Sequence, residues 1–167
     1  AVVNTGDDYE HLTLSFSPDI DTVLYTLAGI AAPQAPWEPA NESHALFATL
    51  KQLGGPDTLT LGDRSLAAPL LRSAWLAEGR RLTEITADFC RQLGITARVL
   101  PMSDDPIRTH VLTDDGAVAF QEYFTTLACE PVVRGFQYAG ADAAIIPPEV
   151  ADVLDSPDLE AVVISPA

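Results

Sequence analysis

Ala1-Val2-Val3-Asn4-Thr5-Gly6-Asp7-Asp8 opens the chain as the end of a buried strand running into a polar, acidic turn. Leu12-Thr13-Leu14-Ser15-Phe16 then alternates apolar and polar residues, as an extended segment does. Ser17-Pro18-Asp19 breaks that segment, and Asp19 or Asp21 is placed to cap a helix running from Thr22 through Val23-Leu24-Tyr25. Strand, acidic turn and capped helix in succession suggest an α/β chain with its chemistry in the turns.

Working outward, the same alternation persists. Residues 31–42 hold three prolines and Trp37 and predict an irregular connection. Ser43 opens a second helix with Leu46, Leu50 and Leu53 on one face, ended by Gly54-Gly55. Leu59-Thr60-Leu61 suits a short strand, and Gly62-Asp63-Arg64 a turn into a third helix. That helix carries Leu66, Leu70 and Ala74 on one stripe and tolerates Pro69 in its first turn. Thr83 caps a fourth helix bearing Ile85, Phe89 and Leu93. Ala97–Leu100 reads as a strand ending in Ser103-Asp104-Asp105. Asp114-Asp115-Gly116 marks a hairpin between Thr109–Leu112 and Ala117–Phe124. Val132–Tyr138, a helix from Pro148 to Leu154 and a last strand Ala161–Ser165 complete the pattern. The expectation is one domain over residues 1–167, a three-layer α/β/α fold. Its sheet would be mostly parallel and Rossmann-like, with an inserted β-hairpin. Ligands of such folds lie beyond the carboxyl ends of the strands.

Composition narrows the partners. Twenty-four acidic residues against nine basic ones give a formal net charge of −15, which argues against nucleic acid and anionic membranes. No apolar run reaches the roughly 18–20 residues of a membrane helix. The first residues lack a signal-peptide pattern, and Cys90 and Cys129 stand in no metal spacing, so a cytoplasmic setting is expected. An anionic ligand on so acidic a chain needs arginines, helix N-termini or a divalent cation. Asp7-Asp8, Asp19-Ile20-Asp21, Asp63 and Asp104-Asp105 are the acidic clusters, and magnesium favours such oxygen ligands. Aspartate also favours turns and caps for their own sake. Arg64 could grip a phosphate or form an ordinary ion pair. In Phe120-Gln121-Glu122-Tyr123, strand alternation would turn Gln121 and Tyr123 away from Phe120. The three histidines show no metal spacing, and there is no Walker loop, GxGxxG or GxSxG.

Taken together, Val2–Asp8, Ser17–Tyr25, Leu61-Gly62-Asp63-Arg64, Leu100-Pro101-Met102-Ser103-Asp104-Asp105-Pro106 and Phe120–Tyr123 resemble the 2-phospho-L-lactate transferase family of coenzyme F420 biosynthesis, in order and spacing. The resemblance implies transfer of a phospho-hydroxyacid (phospholactate, phosphoenolpyruvate or phosphoglycerate) from a guanosine diphosphate-linked donor to the deazaflavin FO. GMP would be released, with Mg2+ as cofactor. It implies Asp7 and Asp8 as metal ligands and Asp7 or Asp21 as the catalytic base. Asp21, Thr22, Thr60, Asp63 and Arg64 would bind substrate, and a homodimer is expected. Against that family's pattern, a glycine-rich loop before Ala1 and a segment after Pro166 are expected to be missing. A sibling group of nucleotide-sugar-binding regulators is the alternative, but those carry a glycine- and serine-rich segment where this chain has Tyr9-Glu10-His11-Leu12. A non-catalytic interaction domain, its aspartates merely capping helices, is a further one.

Overall fold

The structure is a computed structural model that describes residues 1–55 and 61–165. Its elements are β1 (Val2–Val3), β2 (Tyr9–His11), β3 (Leu14–Phe16), α1 (Pro18–Leu27), β4 (Ala31–Ala32), β5 (Ala35–Pro39) and α2 (Ala45–Gln52). There follow α3 (Ala67–Ala77), α4 (Leu82–Gln92), β6 (Leu100–Pro101), β7 (Arg108–Thr113), β8 (Gly116–Ala119), α5 (Phe120–Thr125), β9 (Gly135–Ala139) and α6 (Pro148–Leu154).

The α/β class stands, but the mostly parallel sheet does not. Among the described residues only β1 and β6 pair in parallel, Val2 opposite Leu100. The other pairs, β2 with β3, β4 with β5, and the three-stranded β8-β7-β9, are antiparallel. The reason is connection length. Leu12-Thr13, Pro33-Gln34 and Asp114-Asp115 are two-residue links, far too short for the crossover a parallel pair demands. The expected hairpin at Gly116 is present, and β9 joins its free edge along β7 to make a three-stranded sheet. The first link left little trace in the sequence: Leu12 and Thr13 take φ of 50° and 64°, which such residues seldom adopt.

Other boundaries moved for local reasons. The run Ala117–Phe124 divides after Ala119, α5 beginning at Phe120, so Phe120-Gln121-Glu122-Tyr123 is helical rather than extended. Residues 161–165 form no strand, and Val163 and Ile164 are 88% and 90% exposed. Leu59 and Thr60 lie outside the described residues. On α2 the buried residue is Phe47, whereas Leu46 and Leu53 are exposed.

α1 starts with Pro18 in its first turn, where a missing N–H costs nothing, and with Asp19 and Asp21 beside the positive end of the helix dipole. It stops where Gly29 takes φ +69° and Ile30 N–H donates to Tyr25 O at 3.0 Å. Its buried Ile20 and Leu24 meet Val3, Val99 and the Leu82, Ile85 and Phe89 face of α4. This core fixes the end of β1, and so the acidic turn after it, against the start of α1. Among the described residues, no helix is long and apolar enough to cross a membrane.

Candidate functional site

The turn after β1 is shaped by Asn4. Its amide oxygen accepts the Gly6 N–H at 2.9 Å, and its nitrogen donates to Asp7 at 3.1 Å and to Asp19 at 2.8 Å. Gly6 permits this: a Cβ there would lie 2.8 Å from Thr109 Oγ1 and 3.1 Å from Asn4 Oδ1. One amide thus draws together two carboxylates from different elements. Burial, and then the charge of Asp19, push the Asp7 carboxyl above its ordinary value.

Asp7, Asp19 and Asp21 all line one cavity of ≈ 560 Å³. Its walls are aromatic. Tyr9 and Phe16 stack with centroids 4.9 Å apart and planes 8° from parallel, and Phe120 and Phe124 stack at 6.2 Å. Trp37, 61% exposed, stands on β5 and lines the same space. The α5 helix explains the second wall: Phe120, Gln121, Phe124 and Thr125 share the face that lines the cavity. Tyr123 points elsewhere and donates to Pro131 O at 2.9 Å.

Asp21 differs from Asp7. Both its oxygens accept from Arg72, one at 3.2 Å and the other in a short contact with Nη2. Arg72 is 1% exposed. Burial pushes the Asp21 carboxyl up while the guanidinium pulls it down. Asp8 turns from the aromatic space to a second, smaller cavity and accepts the Ser17 hydroxyl at 2.7 Å. Burial pushes it up to about 7. The expected ligand pair Asp7 and Asp8 therefore opens on two cavities, and the carboxylate that joins Asp7 is Asp19.

Asp63 and Arg64 are placed apart from these. Asp63 accepts the Ser43 hydroxyl at 2.6 Å and the N–H groups of Ala45 and Leu46 at 3.1 and 3.0 Å, so it caps α2. These donors hold its carboxyl below the ordinary value. In return, Glu42 accepts the N–H groups of Arg64 and Ser65, at 2.8 and 2.7 Å, in the turn leading to α3. Arg64 donates to Ala40 O at 2.6 Å and lines a larger apolar cavity of ≈ 700 Å³, whose lining holds no carboxylate. Thr22 is half-buried on α1. Thr60, expected to bind substrate, lies outside the described residues. Asp104 accepts the Thr83 N–H at 2.7 Å and pairs with Arg81, and Asp105 accepts the Ile145 N–H at 2.8 Å. Of the acidic clusters, those around Asp7, Asp19 and Asp21 converge, whereas Asp63 and Asp104-Asp105 brace backbone.

Neither Asn4 nor Arg72 stood out from the sequence as a residue of the site. Arg72 did leave a sign, as a lone cation in the apolar run Ala67-Ala68-Pro69-Leu70-Leu71-Arg72-Ser73-Ala74-Trp75.

The sequence model of the family described as 2-phospho-L-lactate transferase CofD matches residues 1–167. The chain belongs to this family. It is 40% identical over 154 residues to a 2-phospho-L-lactate transferase of Methanopyrus kandleri, covering 92% of the chain and 50% of that protein. It is 38% identical over 161 residues to a phosphoenolpyruvate transferase of Kitasatospora aureofaciens, covering 93% and 50%. The chain thus spans about half the length of the curated relatives it matches. Among solved structures, protein BH3568 from Bacillus halodurans shares the fold, with a TM-score of 0.51 at 18% identity over 89% of the chain and 45% of that one. Within this CofD-family chain the acidic turn, the start of α1 and the aromatic helix α5 meet at one cavity.

Proposed function

We propose that the chain carries the acceptor site of a transferase moving a phospho-hydroxyacid from a guanosine diphosphate-linked donor to the deazaflavin FO, with release of GMP, in coenzyme F420 biosynthesis. The observation that carries this reading is the aromatic-walled cavity with Asp7, Asp19 and Asp21 on its lining. Two stacked aromatic pairs and Trp37 suit a flat polycyclic ring, which such side chains hold by offset stacking. The carboxylates suit the hydroxyl-bearing side chain of that acceptor.

Asp7 and Asp19, brought together by Asn4, fit a hard divalent cation, whose charge would relieve their mutual repulsion. Among the described residues no group of three or more His, Cys, Asp or Glu is placed to hold a metal. A cation here would keep substrate and water oxygens as ligands, the habit of magnesium. Bound magnesium would supply charge neutralisation on the donor diphosphate. The chain's own part is placement. Asp21, fixed by Arg72, would orient the ribityl hydroxyl, and the aromatic walls would exclude water around the ring. Phosphoryl-type transfer asks mainly for positioning and charge neutralisation. The transferred acid is phospholactate, phosphoenolpyruvate or phosphoglycerate, the first two being those named for the relatives.

Titrating FO into the chain with and without magnesium, followed by deazaflavin fluorescence, tests the reading. Saturable binding weakened by Phe124→Ala and by Asp21→Ala is expected. Binding of a nucleotide-sugar with no response to FO would instead support a regulatory role.

A further inference from the structure

Tyr25 ends the Ser17–Tyr25 stretch and stands in the last turn of α1. It follows Asp21 by four residues, so the two side chains share one face of the helix, about 6 Å apart along its axis. The residue is a wall common to two cavities, the aromatic one and the larger apolar one of ≈ 700 Å³. It is 7% exposed.

A phenol so deeply set ordinarily finds a hydrogen-bond partner. The Tyr25 hydroxyl has none among the described residues. Asp21, one turn before it, accepts from Arg72 with both oxygens, and Glu42 accepts from Arg64 and Ser65. Both carboxylates are nevertheless near. Burial and then Asp21 push the phenol above its ordinary value, Arg72 draws it back, and Glu42 adds a smaller push. The group therefore remains an O–H donor through the neutral range. Unlike the hydroxyls of Thr5, Thr83 and Thr86, it is not sealed off from accessible space. Tyr9, the other phenol at the aromatic cavity, is only half-buried and has solvent within reach.

One face of α1 thus presents a carboxylate and, a turn later, a phenol. Asp21 has lone pairs to offer and Tyr25 has a proton. A chain of hydroxyls, each able to donate and to accept, matches that order, whereas an apolar chain leaves both groups without a partner.

We infer that Tyr25 is a further binding residue of the acceptor site, its hydroxyl donating to one oxygen of a polyhydroxyl side chain while another hydroxyl of that chain donates to Asp21. This rests on the acceptor reading proposed above, with the ring held by the aromatic walls and the polyol by α1.

The test is a fluorescence titration of the whole chain with two probes, FO and a deazaflavin carrying a methyl group in place of the ribityl chain. Tyr25→Phe keeps the ring and removes only the hydroxyl. It should weaken FO about three- to tenfold, the loss of one neutral hydrogen bond, and leave the methyl analogue's affinity unchanged. Its urea midpoint should match that of the parent, since the free protein has no bond of this hydroxyl to lose. Unchanged FO affinity in Tyr25→Phe would overturn the inference while leaving the acceptor reading in place. Equal weakening of both probes, or a lowered urea midpoint with no selective loss of FO, would make Tyr25 a packing residue and overturn it too. A parent chain that binds neither probe would overturn the acceptor reading itself, and this inference with it.

Discussion

Replacing Arg72 by methionine removes the cation and leaves the Asp21 carboxyl, its side chain 10% exposed, without its partner. Removing one member of a buried ion pair typically costs about 3–5 kcal/mol, because the remaining charge must stay desolvated or take up a proton. At roughly 2–4 °C per kcal/mol for a chain of this size, the melting temperature should fall by about 6–20 °C. Thermal and urea unfolding at pH 7, followed by circular dichroism, measure this. The pH dependence has a defined sign. Without Arg72, burial alone acts on Asp21 and raises its folded value, so the carboxyl's contribution is intact below its ordinary range and is lost as pH rises through the folded value. The deficit of Arg72→Met should therefore shrink near pH 4. The double variant Arg72→Met with Asp21→Leu should regain most of the stability, since well-packed apolar replacements of such pairs are tolerated. A loss below about 1 kcal/mol at pH 7, or a double variant no better than the single one, would refute the reasoning.

Asp8→Asn should stabilise the chain increasingly as pH rises from about 4 to 8. The parent carboxyl's rise from 3.8 to about 7 corresponds to at most about 4 kcal/mol; a difference that stays flat across that window in urea unfolding would reject the buried-acid account. Gly62→Ala brings a Cβ within 2.0 Å of Glu42 Cδ and should dislodge that side chain from Arg64 and Ser65, costing about 1–3 kcal/mol; an unchanged urea midpoint would show that Glu42 moves freely. Asp7→Asn in a transfer-competent protein should raise the magnesium concentration for half-maximal transfer, as checked by a metal titration of initial rates; an identical curve would remove Asp7 from the metal.

Much of the helical content was legible because its signals are local, such as Ile85 and Phe89 at helical spacing and Pro148 opening α6. The helix α1 was expected from Thr22 with Asp19 or Asp21 as its cap, but it begins at Pro18 and holds both aspartates inside its first turn with no side-chain cap. The β7–β8 hairpin was legible from Asp114-Asp115-Gly116, but the remaining strand pairings were not, because they depend on partners remote in sequence. Leu12 and Thr13 carry none of the usual marks of a two-residue turn. At the site, Asp7 and Asp21 were expected at one ligand and do line one cavity. Asp63 could not be told from a ligand, since a cap eighteen residues from Ala45 leaves the same single aspartate in the sequence as a catalytic one. Nor could alternation at Phe120–Tyr123 reveal which aromatics face outward once that segment coils.

The crossed bonds of Glu42 and Asp63 have a mechanical consequence. Each acid clasps the chain beside the other, so the approach to α2 and the turn before α3 behave as a buckle with two tongues. Releasing either tongue slackens both straps, and a second release finds little tension left to lose.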